Sequence, residues 1–476
     1  MVFSSLFFVF LFLPLNLIIY KFVPGIKAKN IVMLVFSLIF YAWGSPLCLL
    51  LLCGMTAADW IIAIHIEKQK ENGKSGKSGL AYMCLVNLGL LGIFKYGTFI
   101  LSNIKYFTGF PSAIPNIVLP IGISFYTFQL ISYVVDVYRG EVKAQKNYAK
   151  LLLYVSLFHQ CIAGPIVRYS DIANEIEDRS VTAFDIADGI WRFCIGLAKK
   201  AVLANACGSV ADGLLGADGL KNDFTVVGLW AGLIAYALQI YLDFSAYSDM
   251  AIGMGRMIGF HYLENFNYPY ISRSVTEFWR RWHISLSTFF RDYIYIPLGG
   301  NRKGRIITVL NLFVVWFCTG LWHGASWNFV LWGLYFFVFL ICEKFFLSKL
   351  LAKSKPAGHI YLLLAVLMGW VLFRFDSLSD IGDMFKGLVG IGADRFCGIE
   401  TLSQIGSNAF ILIVSLVAST PAARNICEIL AYRVSENKMT AAVYAVGRIL
   451  IPVFLLLIST AALVGDTYNP FLYFRF

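Results

Sequence analysis

The sequence predicts an all-α, polytopic integral membrane protein, and three observations carry that expectation. Hydrophobic residues make up 59% of the 476 positions and charged residues only 14%, against about 25% charged in a soluble globular domain. Apolar runs near the length of one membrane span, about 20 residues, recur from end to end. The lysines and arginines gather in short stretches between those runs, as cytoplasmic loops require under the positive-inside rule. The net charge of +11 is therefore a topology signal rather than a nucleic-acid footprint, and a cytosolic globule is excluded.

Taken in order, the apolar runs fall near 3–20, 31–64, 80–107, 117–138, 148–163, 186–206, 224–258, 306–320, 325–348, 360–374, 408–420 and 442–465. The second is a pair broken at Gly44-Ser45-Pro46. They give roughly ten to thirteen helices, some too short to span and read as re-entrant, which lipid tolerates only inside protein or beside a wet cavity. The opening MVFSSLFFVFLFLPLNLIIYKF lacks the charged leader and small-residue cleavage site of a secretory signal and reads as a retained first helix. The basic loops 21–29, 67–79, 139–150 and 301–305 are assigned to the cytoplasm. A single domain over 1–476 is expected, with N-terminal helices over 1–265, a core over 266–350 that holds the histidine motifs, and C-terminal helices over 351–476. No large polar insertion interrupts it.

Several chemistries are excluded. ENGKSGKSG at 71–79 lacks the spacing and preceding strand of a phosphate-cradling loop. The ten cysteines show no metal-ligand spacing and read as small packing residues. Neither a G-x-S-x-G elbow nor an H-E-x-x-H helix is present, and no metal site is expected.

Three stretches remain. FWRRWHISLSTFFRDYIYIPLGGNRKG predicts one amphipathic helix over 276–293. Phe278, Leu286, Phe289 and Tyr293 share a face with Trp282, while Arg280, Ser287 and Arg291 lie opposite and His283 at the edge. Such a helix is either an interfacial anchor or a basic, aromatic mouth for an anionic acyl donor. On the second reading Arg280, Arg281, Arg291, Arg302 and Lys303 meet phosphates and Trp279 is a stacking surface. TGLWHGASWNFVLWG sets His323 among glycines and tryptophans, with Ser326 and Asn328 as polar neighbours. A titratable group at membrane depth is costly and marks function by default. His323 is either a histidine hydrogen-bonded across helices or a general base or transient acyl carrier. QIYLDFSAYSDMAIGMGR places Asp243 and Asp249 six residues apart, so not on one helical face. They either pair with arginines elsewhere or orient a catalytic histidine. In FHQCIAGPIVRYSD, His159 reads as a packing or capping residue.

These runs, with the terminal YNPFLYFRF, together resemble the membrane-bound O-acyltransferase family over essentially the whole chain, and within it the alginate O-acetyltransferase branch. His159 departs from that branch, which commonly has proline there. The resemblance implies helices around a central funnel, with His323 as the family's invariant histidine and His283 as its second. It implies transfer of an acetyl group from a cytoplasmic thioester, acetyl-CoA, with no other bound cofactor, toward an exported or cell-envelope polysaccharide. It also implies an exported esterase-like partner that completes delivery, and a multi-pass site in the inner membrane. His323 would deprotonate the acceptor hydroxyl. His283 would hold the thioester or stabilise charge on its carbonyl oxygen. The alternatives are D-alanyl transfer to teichoic acid and a transporter or flippase; paired broken helices in the two halves would favour the latter, and no convincing pair is present.

Overall fold

The computed structural model describes residues 1–109, 114–115, 117–161, 164–434, 438–465 and 468–469. Residues 162–163 of the FHQCIAGPIVRYSD stretch and 470–476 of the terminal run lie outside the described residues.

The described elements are helical, with one isolated bridge between Thr225 and Arg395. In chain order the main helices are α1 (Phe8–Phe22), α2 (Ile26–Gly44), α3 (Pro46–Glu71), α4 (Lys77–Thr108), α5 (Ile123–Arg139), α6 (Tyr148–Ser156), α7 (Ala183–Leu215), α8 (Val226–Met257), α9 (Val275–Arg281), α10 (Ile284–Phe290), α11 (Arg305–His323), α12 (Trp327–Leu351), α13 (Lys355–Arg374), α14 (Ile399–Ser407), α15 (Ala409–Ala418) and α16 (Lys438–Gly465). Among the described residues nine are long and apolar enough to cross a membrane, or ten if α14 and α15, bent by 56°, count as one span. The expected run 117–138 starts late, because Gly122 takes φ 73° before Ile123 opens α5. The run 148–163 is cut at Leu157 into a nine-residue and a four-residue helix. The break at Gly44-Ser45-Pro46 falls where expected, with Pro46 at the first position of α3, in the first turn, where an N–H has no intrahelical partner to lose.

The chain folds as two compact units, interleaved in sequence. The first comprises Met1–Arg192, Met250–Glu264 and Thr288–Ile294; the second comprises Phe193–Asp249, Asn265–Ser287 and Tyr295–Phe476.

In the first unit the rings of Phe8, Phe12, Phe40 and Phe158 pack together, with centroids 5.4–6.0 Å apart. Polar ties fix its helices. Asn87 donates to both carboxylate oxygens of Asp59, at 3.0 and 2.8 Å. His159 sits in a packing position, its Nδ1 3.3 Å from the Tyr262 hydroxyl and its ring against Phe158.

The second unit has an aromatic core. Phe278, Trp279, Trp282, Trp316, Trp332, Phe336 and Trp370 are all buried in it. Within it α11 and α12 form a helical hairpin that packs backbone on backbone. A Cβ on Gly333 would lie 2.4 Å from the Trp316 carbonyl oxygen, and one on Gly320 2.5 Å from that of Phe329. Small residues at such a crossing are what lets membrane helices approach closely. Buried charge is paired: Lys200 Nζ lies 2.8 Å from Asp243 and Lys199 Nζ 2.8 Å from Asp249.

Candidate active site

The second unit brings both predicted histidines onto one residue. The Trp322 ring lies 5.6 Å from the His283 ring and 4.9 Å from that of His323, centroid to centroid. His283 and His323 are 1% and 5% exposed, so both imidazoles work away from bulk water.

His323 is the last residue of α11, before Gly324-Ala325-Ser326 turns the chain into α12. Besides Trp322, Trp332 and Phe373 stand edge-on to its ring at 4.8 and 5.2 Å. Asn328, fully buried, donates to the Leu372 carbonyl at 3.3 Å and so fixes the end of α13 that carries Phe373. Its amide oxygen accepts from Ser326. The two polar neighbours named from sequence thus hold the wall around His323.

His283 is seated differently. The single helix expected over 276–293 is two short helices, α9 and α10, with Trp282 extended and His283 at φ 45° between them. The left-handed region costs a side-chain-bearing residue roughly 1–2 kcal/mol, and neighbouring hydrogen bonds hold it there. Ile284 N–H donates to the Asn265 carbonyl at 2.9 Å and Asn267 N–H to the Arg281 carbonyl at 2.9 Å. The Asn265 side chain completes the seat. Its Oδ1 accepts from Ser285 N–H at 3.1 Å and from the Ser285 hydroxyl at 2.9 Å, and faces His283 Nδ1 at 3.2 Å. A backbone N–H can only donate, so the atom facing it is the amide oxygen, and Nδ1 facing the same oxygen carries the ring proton. The other nitrogen, Nε2, is buried with no hydrogen-bond partner among the described residues. Phe244 and Phe266 line the ring at 4.7 and 6.5 Å. Burial pushes the His283 pKa down to about 3, so the imidazole is neutral at physiological pH. This corrects one expectation: a group stabilising a carbonyl oxyanion must offer an N–H, and in this tautomer Nε2 offers a lone pair.

The candidate donor contacts separate. Arg280 is exposed and lines a cavity of about 610 Å³ with Arg273, Lys344 and Lys355. The carboxylate there, Glu343, is occupied: it accepts from Val275 N–H at 2.5 Å and from Thr276 N–H at 2.8 Å. Arg281 is tied to Glu277 at 3.0 Å, and Arg302 and Lys303 are exposed in the turn before α11. Arg291 belongs to the first unit and is bound at 2.7 Å to Asp292, which Arg168 also holds at 2.7 Å. Burial would raise the Asp292 pKa, but the hydrogen bonds from Arg291 and Arg168 outweigh it and hold the carboxyl below its usual range. Trp279 is not a stacking platform. It is packed among Trp316, Trp332 and Phe336 at 4.9–5.4 Å, because the α9 face that carries it turns into the core. Asp243 and Asp249 bond lysines of α7 rather than arginines.

Sequence reading did not single out Asn265, Phe244, Phe373 or the cations Arg273, Lys344 and Lys355. Asn265 had one usable signal: it stands in HYLENFNYPY, a polar and aromatic run between two apolar stretches, so its side chain was free of any helical face.

Comparison with known proteins places this geometry. Residues 141–379 match the model of the membrane-bound O-acyltransferase family. The chain is 37% identical to a Pseudomonas putida protein named "Probable alginate O-acetylase AlgI", over the full length of both. It is 41% identical to the protein of the same name from Azotobacter vinelandii, over 82% of this chain and 79% of that one. It is 32% identical to the peptidoglycan O-acetyltransferase of Helicobacter pylori, over 88% and 86%. The chain belongs to the membrane-bound O-acyltransferase family: it is a multi-pass membrane enzyme that transfers acyl groups to oxygen.

Proposed function

We propose that this enzyme O-acetylates an exported or cell-envelope polysaccharide, drawing acetyl groups from acetyl-CoA at the cytoplasmic face of the inner membrane and passing them to an exported esterase-like partner. The observation that carries the reading is the pair of buried histidines on Trp322, in a chain similar over 100% and 88% of its length to proteins named for alginate and peptidoglycan O-acetylation.

The cavity lined by Arg273, Arg280, Lys344 and Lys355 supports the donor class. Four cations face it and its carboxylate is engaged by backbone N–H groups, which suits phosphates. Leu312 of α11 forms part of its wall. Eleven residues of helix, about 16 Å at 1.5 Å per residue, separate Leu312 from His323. A donor held there by its phosphates therefore needs a long arm to present a thioester to the histidines. The α12 end at this cavity is the end where the basic loop 301–305 enters α11, the side assigned to the cytoplasm.

The test is thiol release from acetyl-CoA by membrane vesicles of the producing cells, which contain the native partner. Wild-type vesicles should release thiol with the appearance of alkali-labile acetyl esters, and vesicles carrying His323→Gln should not. Thiol release that His323→Gln leaves unchanged sinks the reading.

A further inference from the structure

We infer that Asn265 is a positioning residue for acyl transfer: it fixes His283 in the Nδ1–H tautomer and thereby makes Nε2 a proton acceptor of the site. The inference rests on the acyl-transfer reading of this site and goes beyond it in assigning the proton.

Three observations converge. The amide oxygen of Asn265 is oriented by an obligate donor, Ser285 N–H at 3.1 Å, so it faces the imidazole as an acceptor. The Ser285 hydroxyl gives its proton to that same oxygen at 2.9 Å, which leaves its own oxygen to accept, at 3.4 Å, from Nδ1–H. Every contact at Nδ1 thus calls for a proton there. Nε2, buried and without a hydrogen-bond partner among the described residues, keeps its lone pair. The backbone agrees: His283 is held in the left-handed region by the Ile284–Asn265 hydrogen bond, so one residue sets both the main chain and the ring of the histidine.

In the step this implies, the acceptor O–H bond breaks as its proton passes to Nε2. The acceptor oxygen forms a bond to the acyl carbon, the carbon–sulfur bond breaks, and the leaving thiolate takes that proton back. Atoms and charge balance with only thioester and alcohol as reactants.

The groups packed on His283 are Phe244 from α8, Asn265 and Phe266 from the preceding loop, Ser285 from α10 and Trp322 from α11. None is charged. On the second-unit part of α8 the acids are Asp243 and Asp249, each on a lysine, and on α11 the neighbouring titratable residue is His323.

The test compares Asn265→Ala with Asn265→Asp, read in two ways. Alkali-labile acetyl esters on the envelope glycan of producing cells report transfer whatever the donor. Thiol release by vesicles with acetyl-CoA, from about pH 4 to 8.5, reports the acid side. A histidine in the wrong tautomer costs up to about 10⁴ in kcat. Asn265→Ala should lose at least roughly 100-fold of transfer, at near-normal protein level and with donor KM within about twofold. Asn265→Asp keeps the acceptor oxygen and should restore a measurable part. The wild-type imidazole, its pKa pushed down to about 3, gives no acid limb in this range, whereas the carboxylate of Asn265→Asp beside Nδ1–H favours the imidazolium by about one to three pH units, so the activity of that variant should fall at the acid end. Transfer by Asn265→Ala within twofold of wild type overturns the inference, as does equal loss in both variants with lowered thermal stability. If Asn265→Ala does not fold, an acid side in Asn265→Asp that matches wild type overturns it. Wild-type vesicles that release no thiol while cells carry normal esters would refute the acetyl-CoA reading alone, and the ester comparison would still decide Asn265.

Discussion

His283 and His323 both border the Trp322 ring, yet the structure seats them in different ways. His323 ends a regular helix and is walled by rings, with Trp322, Trp332 and Phe373 within 5.2 Å of its own. His283 stands outside regular structure, at φ 45°, with its ring nitrogen held by an amide. Packing can fix where a ring lies but not which nitrogen carries the proton; a directed hydrogen bond fixes both. At His283 that hydrogen bond is the one between Nδ1 and Asn265 Oδ1 at 3.2 Å.

The largest effect should follow removal of either imidazole. His283→Asn keeps a residue tolerant of the left-handed backbone, and His323→Gln keeps most of the volume. Both should lose transfer by roughly 10²–10⁴-fold, the range of general acid–base catalysis, while expression and thermal unfolding in detergent stay close to wild type. A histidine whose variant keeps more than a tenth of wild-type product would be a wall residue only.

Next comes the seat of His323. Gly333→Val puts carbon where the Trp316 carbonyl oxygen and Gly320 Cα stand, 2.4 and 3.1 Å from the ideal Cβ. Overpacking of this kind costs about 1–3 kcal/mol or more. The unfolding temperature should drop and activity fall with it. Unchanged stability would mean that the α11–α12 hairpin opens without harm to His323.

The seat of His283 depends on the start of α9. Glu343→Ala leaves the N–H groups of Val275 and Thr276 without their carboxylate, a loss of about 1–3 kcal/mol for buried donors. Thermal unfolding should register it, and Glu343→Gln should recover part.

The smallest effect separates two adjacent arginines. Arg280→Ala should raise the donor KM several-fold with kcat nearly constant, because Arg280 lines the cationic cavity. Arg281→Ala should change it less, since that guanidinium is on Glu277. Equal KM changes would remove the cavity from the donor path.

Much of this was legible in the sequence, for identifiable reasons. Apolar run length located most spans, and Gly44-Ser45-Pro46 announced its own break. The two faces of 276–293 hold in part: Phe278, Trp282, Leu286 and Phe289 are buried and Arg280 and Arg291 exposed, while Tyr293 and Ser287 are both half-buried. The break between α9 and α10 was illegible because no glycine or proline marks it; a histidine takes the left-handed position, and a loop eighteen residues earlier holds it there. Trp279 was misread because an aromatic beside arginines looks the same whether it faces a ligand or a core. The partners of Asp243 and Asp249 were lysines because α7 and α8 meet in space, which spacing within one helix does not encode.

The central claim is that the two histidines act as one unit around Trp322. A double-variant cycle on transfer rate tests it most directly, using His283→Asn, His323→Gln and the combination in the same vesicles. Groups that serve one step lose little more together than the worse of them loses alone, so the double variant should match the slower single variant within a few-fold. Losses that multiply, each histidine contributing its full factor independently of the other, would contradict the account.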